Sequence, residues 1–317
     1  MLFLFFSLHF LFVPNIMSLM IREFDYIIEK EYENKTILDF LKQQHYSHAV
    51  FVHLKKTPNS ILLNGVWEYV TAKLHTGDLL HISLIENETS DISPVKHDFS
   101  IIYEDEDILV VDKPAKMPVH PSLNHYENTL ANAVCYYYAN QNIPYTFRCV
   151  NRLDRDTTGL TILAKHMLSS AILSEAVTRR AISREYLAIV SGETNLEGTI
   201  DAPIGRKEAS TVERIIDYEN GERAVTHYKR IAYKNGLSLL SLKLETGRTH
   251  QIRVHMKSIG HPLIGDFLYH PLSTEMNRQA LHSYRLTFEH PITGETMRFT
   301  APLPEDMQCF FPEVSLT

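Results

Sequence analysis

The chain has 317 residues, of which 44% are hydrophobic, and it carries a formal net charge of −7. The length predicts two domains, and the apolar content is sufficient for sizeable cores. The negative charge argues against a protein that binds nucleic acid with its whole surface, but it permits a local basic face. The cysteines Cys135, Cys149 and Cys309 lie far apart, which argues against a disulfide framework and predicts a reducing, cytoplasmic location.

We interpret residues 1–19 as a non-native or disordered leader. The chain starts with the apolar run MLFLFFSLHFLFV, but a membrane-spanning helix needs roughly 20 apolar residues. A secretory signal would have a basic leading region and a small-residue cleavage site, and both are missing. Met17 and Met20 follow the run. We therefore expect translation to begin at one of them, and we expect no stable membrane association.

Residues 20–86 form the first predicted domain. TILDFLKQQ and HAVFVHLKK have the apolar spacing of short helices, whereas ILLNGV and LHTGDLLHISLI predict strands next to turns. The polar segment 87–97 contains a proline and has no apolar periodicity. We therefore interpret it as a linker.

Residues 98–317 form the second predicted domain, in which strand-like and helical segments alternate irregularly. Many strand-like runs, such as ILVVDK (108–113) and LSLLSLKLE (237–245), follow one another through short turns. A doubly wound parallel sheet would instead alternate strands and helices regularly. The pattern predicts the α+β class, with a mixed, largely antiparallel sheet flanked by helices.

The sequence contains no motif that binds a dinucleotide or a nucleoside triphosphate. His250 and His255 are five residues apart in a predicted helix, where they would point in different directions, so they do not suggest a metal site. We therefore expect chemistry that requires no cofactor and no metal.

The segment LETGRTHQIRVHMKSIG (244–260) predicts a strand, a turn at Thr246-Gly247 and an amphipathic helix over 248–259. His250, Arg253 and Lys257 would line the polar side of this helix, which by pattern alone is a solvated face. The turn feeds into a helix start, where backbone donors favour phosphate. A phosphate site at this turn is therefore a second interpretation.

The stretch NRLDRDTTGL (151–160) places two carboxylates, Asp154 and Asp156, beside Arg152 and Arg155 in a loop that enters a predicted strand. Asp156 precedes Thr-Thr-Gly and is typical of a turn residue. Asp154 has no such explanation, and the neighbouring arginines favour its ionised form. Asp154 is thus a candidate nucleophile or base, with an ordinary surface ion-pair cluster as the alternative.

Four ordered motifs resemble those of the RluA-type pseudouridine synthases. NRLDRDTTGL resembles the Arg-Leu-Asp signature, and ILVVDKPAKMPVHPS (108–122) is similar to the strand and loop that lead into the site. SREYLAIVSG (183–192) resembles the tyrosine motif, and residues 244–269 resemble the Gly-Arg-Thr-His-Gln-Ile-Arg segment. The resemblance runs from about residue 98 to residue 306, and it implies an RNA uridine isomerase with the pseudouridine synthase fold.

The resemblance implies a role for each matched site residue. Asp154 would be the catalytic aspartate that attacks the uridine, either at the sugar or at the base. Tyr186 would stack on the uracil and assist proton removal, whereas Arg253 would pair with Asp154 and hold it. Arg152 would help to keep the nucleotide extruded, because a stacked base must be flipped into a pocket before it can be rotated.

Further RNA contacts are expected around the site and in the first domain. That domain is similar to the small αL-type RNA-binding module of ribosomal protein S-four, although acidic residues offset its lysines. Asn151 stands where the family more often has histidine, and an amide cannot become charged. The predicted RNA-binding residues are Arg152, Asn151, Arg155, Arg248, His250, Lys257, Lys42, Lys55 and Lys56.

We predict a monomeric enzyme that acts on structured RNA. Large-subunit ribosomal RNA is the leading substrate, because an appended RNA-binding module suits a large RNA, and transfer RNA is the alternative. A non-catalytic ribosome assembly factor is a different reading, disfavoured because Asp154, Tyr186 and Arg253 are all present. Glycosidic hydrolysis by Asp154 with Asp156 is another, since flanking carboxylates stand roughly 5 to 9.5 Å apart, but no separate acid is evident.

Overall fold

The structure, a computed structural model, describes residues 19–315 apart from Asn124, Ala209 and Thr211. The predicted leader, except Leu19, lies outside the described residues. Among the residues described, no helix is both long enough and apolar enough to span a bilayer.

A four-stranded antiparallel sheet with two helices forms the first unit. Its strand order is β1-β4-β2-β3. The elements are β1 (Met20–Ile27), α1 (Ile37–Gln43), α2 (His48–Lys56), β2 (Ile61–Leu63), β3 (Val66–Trp67) and β4 (Leu79–Glu86). The helices α1 and α2 confirm the predicted ones, and a capping box between Thr36 and Asp39 begins α1. We did not predict β1, because it is an edge strand with a single buried residue, Phe24.

The first unit is joined to the rest of the chain by direct contacts as well as by the segment 87–99, which has no regular structure. Leu168 belongs to the same hydrophobic core as α1 and α2. The Arg22 side chain donates hydrogen bonds to both carboxylate oxygens of the buried Asp107, at 2.8 and 3.2 Å, and Arg148 pairs with Glu86. These contacts order the first unit against the second, while the domain boundary at 87–97 stays a prediction.

A nine-stranded mixed sheet forms the centre of the second unit, in the order β5-β6-β7-β14-β8-β13-β12-β9, with β15 paired to β14. Its strands are β5 (Ser100–Glu104), β6 (Ile108–Lys113), β7 (Thr158–Ala164), β8 (Ser183–Ser191), β9 (Glu197–Asp201), β12 (Val225–Lys234), β13 (Leu237–Leu244), β14 (Leu281–Glu289) and β15 (Thr296–Thr300). A separate ribbon contains β10 (Ile204–Arg206) and β11 (Arg214–Ile216). The helices are α3 (Leu130–Ala139), α4 (Met167–Thr178), α5 (Gln251–Ser258) and α6 (Glu305–Gln308). Pairing is antiparallel throughout this sheet except between β7 and β14.

This architecture confirms the predicted fold class of a mixed, largely antiparallel sheet with helices. The strands that we did not predict in this unit, β9 to β12, lie within residues 197–234. Three of them are short, and the buried residues of β12 all lie in its first half. Weak apolar periodicity therefore concealed this part of the sheet.

The central strand β7 carries the candidate loop at its start. All seven of its residues are buried, and Gly159 has a φ of 109°. A Cβ at Gly159 would lie 2.3 Å from the carbonyl oxygen of Ser283 on β14. Only glycine allows β7 and β14 to approach this closely, so the Thr-Thr-Gly sequence fixes where the loop ends.

The buried His282 on β14 predicts a stability change with pH. Its Nδ1 lies 2.9 Å from Oγ1 of Thr158, and burial lowers its pKa from 6.5 to about 4. Between these two pH values the unfolded chain binds more protons than the folded one, so the free energy of unfolding should fall as the pH falls through this window, by up to about 3 kcal/mol. Urea unfolding at several pH values should show that His282→Gln removes part of this dependence, whereas His48→Gln, at an exposed position, leaves it intact. An identical pH slope in native and His282→Gln proteins would contradict the assignment.

Candidate active site

The loop between residues 150 and 158 is built by buried polar contacts. The side chain of Asn151 is buried, donates to the carbonyl oxygen of Leu160 at 3.3 Å and accepts from the amide of Ile162 at 2.8 Å. Both ends of the amide are thus used within the protein. Asn151 therefore anchors the loop to β7, and its predicted contact with RNA stays a prediction.

Lys113, at the end of β6, ties the same loop to the segment that follows β6. Its side chain is fully buried, and Nζ donates to the carbonyl oxygens of Pro114 at 2.8 Å, Met117 at 2.8 Å and Arg155 at 3.0 Å. Burial lowers the pKa of Lys113 to about 7. Our sequence reasoning did not single out this residue, because a lysine at the end of a strand gives no signal that its side chain points inward.

The carboxylate of Asp154 meets a buried arginine at the end of this loop. Nη1 of Arg253 lies 3.1 Å from Oδ2 of Asp154. The Asp154 side chain is 25% exposed, whereas that of Arg253 is 3% exposed. The loop therefore presents one carboxylate that is held from inside and accessible from outside.

Arg253 is in turn held by Asp266, which is completely buried. Its Nε and Nη2 donate to the two oxygens of Asp266 at 2.7 and 2.8 Å, and Asp266 also accepts from the amides of Leu268 and Tyr269. Burial alone would lower the pKa of Arg253, but the hydrogen bond to Asp266 and the charge of Asp154 raise it above its usual value. Arg253 is a fixed cation that orients Asp154.

The polar face of α5, predicted to be solvated, is partly buried in the structure. Arg253 and His255 are both buried, and His255 contacts Oγ1 of Thr226 and the carbonyl oxygen of Ala202, each at 2.9 Å. Of the polar side chains expected on that face, Lys257 is exposed and His250 is partly exposed. Sequence periodicity missed the burial because it depends on the packing of α5 against β11 and β12, which a local pattern does not show.

Tyr186 lies on β8 in the apolar cluster that also contains Leu153 and Ile252. Burial raises the pKa of its phenol, the nearby Arg184 lowers it, and the nearby Asp154 raises it further. The net shift is upward, so the phenol stays protonated near neutral pH. The structure therefore brings together three of the residues matched by motif, namely Asp154, Tyr186 and Arg253.

His250 and Tyr269 border the same carboxylate. Nε2 of His250 lies 3.9 Å from Oδ2 of Asp154, and its Nδ1 lies 2.8 Å from the hydroxyl of Tyr269. Burial lowers the pKa of His250, so this imidazole is neutral near pH 7. The ring of Tyr269 also lies under the Arg253 guanidinium, at 4.9 Å. Our sequence reasoning gave Tyr269 no role, although the matched segment 244–269 ends on it.

The remaining cationic residues predicted around the loop differ in what they contact. Arg155 pairs with Asp156 at 2.7 Å, and Arg248 is exposed and pairs with Glu222. Arg152 is exposed, and Nζ of Lys257 lies 5.5 Å from the ring of Tyr269. Lys42, Lys55 and Lys56 are exposed on the first unit.

An exposed aromatic ring lies next to the loop between residues 150 and 158. Phe267 is 58% exposed, and the guanidinium carbons of Arg155 and Arg253 lie 5.7 and 5.9 Å from its ring centre. A phenyl ring between two cations offers a surface on which a flat, apolar group can stack.

One group of side chains away from this loop has the spacing of metal ligands. Single atoms of Asp105, Asp107 and His290 lie within 4.8 Å of one another. Asp107 is already bonded by Arg22 and His166. Nδ1 of His290 accepts backbone amides, so its Nε2 carries the proton that faces Asp105 at 3.0 Å. The side chains of this group are therefore explained by their pairing with one another and with their neighbours, near the contact between the two units.

Comparison with known proteins gives a consistent result. The RNA pseudouridylate synthase family matches residues 107–258. An uncharacterized RNA pseudouridine synthase of Bacillus subtilis, YjbO, is 41% identical over 278 residues, which cover 86% of this chain and 96% of that protein. The ribosomal large subunit pseudouridine synthase D of Zymomonas mobilis is 44% identical over 239 residues, or 71% of this chain and 74% of that one. The structure of human RNA pseudouridylate synthase domain containing 1 aligns with a TM-score of 0.56 and 26% identity, and covers 67% of this chain and 86% of that one.

Proposed function

Because the chain belongs to the RNA pseudouridylate synthase family and is an RNA pseudouridine synthase, we propose that it isomerises specific uridines in large-subunit ribosomal RNA, with Asp154 as the nucleophile. The observation that carries the assignment of Asp154 is its position, partly exposed and held at 3.1 Å by the buried Arg253. The name of the Zymomonas relative supports the choice of ribosomal RNA. We also propose that the enzyme acts as a monomer in the cytoplasm.

The proposed reaction needs a nucleophile, a platform for the base and a group that keeps the nucleotide out of its stack. The bond between the sugar and N1 of uracil breaks, the base rotates, and a bond from the sugar to C5 replaces it. C5 loses its proton and N1 takes up a proton in exchange. No atoms are gained or lost and nothing is oxidised, so the chemistry is compatible with a site made of side chains. Asp154 supplies the nucleophile, whether it attacks the sugar or the base.

The residues around Asp154 suit base flipping. Extruding a base costs a few kcal/mol, which stacking and polar contacts in the pocket offset. Tyr186 supplies an aromatic ring beside Asp154, and the exposed Arg152 is available to fill the gap that the uridine leaves. Phe267 offers a second aromatic surface at the rim, where a neighbouring unstacked base would lie.

We propose that the first unit, residues 20–86, adds RNA affinity through Lys42, Lys55 and Lys56. All three side chains are exposed, and the direct contacts of this unit with the second unit would hold the lysines at a constant distance from Asp154. Each phosphate contact made by a lysine would increase the affinity and its dependence on salt.

A pseudouridine-specific chemical map of total RNA tests the proposed function. The map should be made from cells with the native gene, without it, and with the gene restored. We expect one or a few large-subunit sites to vanish with the gene and to return with it. Lost sites in transfer RNA alone would replace the proposed substrate, and an unchanged map would favour a non-catalytic RNA-binding protein.

Tyr186→Phe should separate stacking from proton transfer. The substitution keeps the ring and removes the hydroxyl, so we expect RNA affinity to be retained while the turnover rate falls by about 10² to 10⁴, the usual worth of a general acid–base group. Because the tyrosine pKa is raised, the native rate should not depend on ionisation of this phenol near neutral pH. Single-turnover conversion of a substrate RNA and filter binding measure the two quantities. Tyr186→Leu, which lacks the ring, should weaken binding as well, and a Tyr186→Phe variant with native turnover would refute the proton-transfer role.

A further inference from the structure

We propose that Arg184 and the turn at Gly247 form a binding subsite for one backbone phosphate of the RNA, next to the flipped uridine. This inference rests on the proposed function, since it assumes that RNA enters the site at Asp154. Neither the motifs nor the comparisons gave Arg184 a role.

The position of Arg184 directs it toward the site. It lies on β8 two residues before Tyr186, and residues two apart on a strand share one face of the sheet. Glu185, between them, lies on the opposite face and contacts Ser241. Arg184 is also close enough to Tyr186 to lower the pKa of its phenol, which Asp154 raises. Arg184 therefore belongs to the neighbourhood of the proposed nucleophile.

Among the described residues, the side chain of Arg184 lacks a partner, as does that of the exposed Arg152, whereas three other arginines of this region have one. Arg253, Arg155 and Arg248 each pair with a carboxylate. Within the described part of the chain, the Arg184 side chain makes no hydrogen bond or ion pair, and its Nε is buried without an acceptor. A partly buried cation without a counter-charge is unfavourable. Its presence in a chain of net charge −7 is explained if an anion arrives with the substrate.

Gly247 provides the space for this guanidinium. A Cβ at Gly247 would lie 3.1 Å from Nη1 and 3.3 Å from Nη2 of Arg184. Because the φ of Gly247 is not in the left-handed region, the backbone does not itself require glycine here. The missing side chain therefore serves to let the guanidinium lie against the turn.

This arrangement changes the earlier interpretation of the turn as a phosphate site made of backbone donors. The amide of Arg248 donates to Oε1 of Gln251 at 3.0 Å, and the hydroxyl of Thr246 donates to the same atom at 2.8 Å. The backbone amide of Arg248 is thus already satisfied within the protein. The Arg184 side chain is a donor that remains available, and its planar fork matches the geometry of a phosphate.

Salt-dependent RNA binding tests the subsite. Binding of a stem-loop that contains the mapped uridine should be measured over a range of salt concentrations for the native protein, Arg184→Gln and Arg184→Lys. We expect Arg184→Gln to reduce the slope of log affinity against log salt by about 1, the effect of one lost phosphate contact. Arg184→Lys should restore the slope in part, and Gly247→Ala should weaken binding because it displaces the guanidinium. Arg298→Gln, an exposed arginine on β15, is the matched control and should leave the slope unchanged.

A scan with single methylphosphonate linkages locates the contact. One uncharged linkage should weaken binding by the native protein and have no further effect on Arg184→Gln, which a merely structural role of Arg184 would not produce. Equal salt slopes for native and Arg184→Gln proteins would overturn the subsite. Equal salt slopes together with normal pseudouridine formation by the native enzyme would overturn only the subsite, and the proposed function would stand. A pseudouridine map that does not change when the gene is removed would refute the proposed function itself.

Discussion

Asp154→Asn is expected to abolish pseudouridine formation, with a loss on the order of 10³-fold or more, as for other enzymes that lose a nucleophile. The amide keeps the size of the side chain and one acceptor for Arg253, so the fold and RNA binding should persist. Single-turnover conversion of the mapped RNA measures the loss. Thermal unfolding and filter binding of the same preparation measure the two properties that should not change.

Asp156→Asn is the matched control for this prediction. Asp156 lies two residues away in the same loop, but its carboxylate is buried and paired with Arg155. The substitution should reduce stability modestly and leave most of the activity. Equal inactivation by both substitutions would instead favour a mechanism that uses both carboxylates, such as glycosidic hydrolysis. An active Asp154→Asn enzyme would remove the nucleophile assignment.

Asp266→Ala is expected to cause the largest loss of stability. It leaves the Arg253 guanidinium buried without the partner that holds it at two points, and breaking such a buried pair costs about 3–5 kcal/mol. It also frees Arg253 to turn away from Asp154, so activity should fall in the fraction that remains folded. Urea unfolding followed by circular dichroism gives the free energy, and single-turnover assays at low temperature give the activity.

Two further variants separate the structural and the positioning roles of this pair. Asp306→Ala breaks a similar two-point contact, at 2.7 Å for each hydrogen bond to Arg278. Arg278 is also buried, but its Nη1 still donates to three carbonyl oxygens. Since the Asp306 side chain is 48% exposed as well, this substitution should cost less. Replacing both charges, as Arg253→Met with Asp266→Leu, should recover part of the stability, because well-packed apolar residues often replace a buried ion pair without loss. Activity should not return, since Asp154 would still lack its cation, and a fully active double variant would refute the positioning role of Arg253.

The sequence determined the fold class, the helices α1 and α2, and the proposed nucleophile. Apolar periodicity acts over a few residues, so it identified the segments whose own pattern matches their burial, such as β6 and β13. It failed for β1 and β12, where only a few residues are buried. The resemblance of the Arg-Leu-Asp and tyrosine motifs to those of the family singled out Asp154 and Tyr186 as candidates.

Only the tertiary structure decided what surrounds Asp154. Arg253 is 99 residues away in the sequence, and the helical pattern placed it on a solvated face, whereas packing of α5 buries it against Asp266. The structural role of Asn151, the three carbonyl contacts of Lys113 and the unpaired state of Arg184 likewise depend on neighbours that the sheet brings together from distant parts of the chain. A local pattern records the type of each side chain, but burial and pairing are set by long-range packing, which no single segment of the sequence contains.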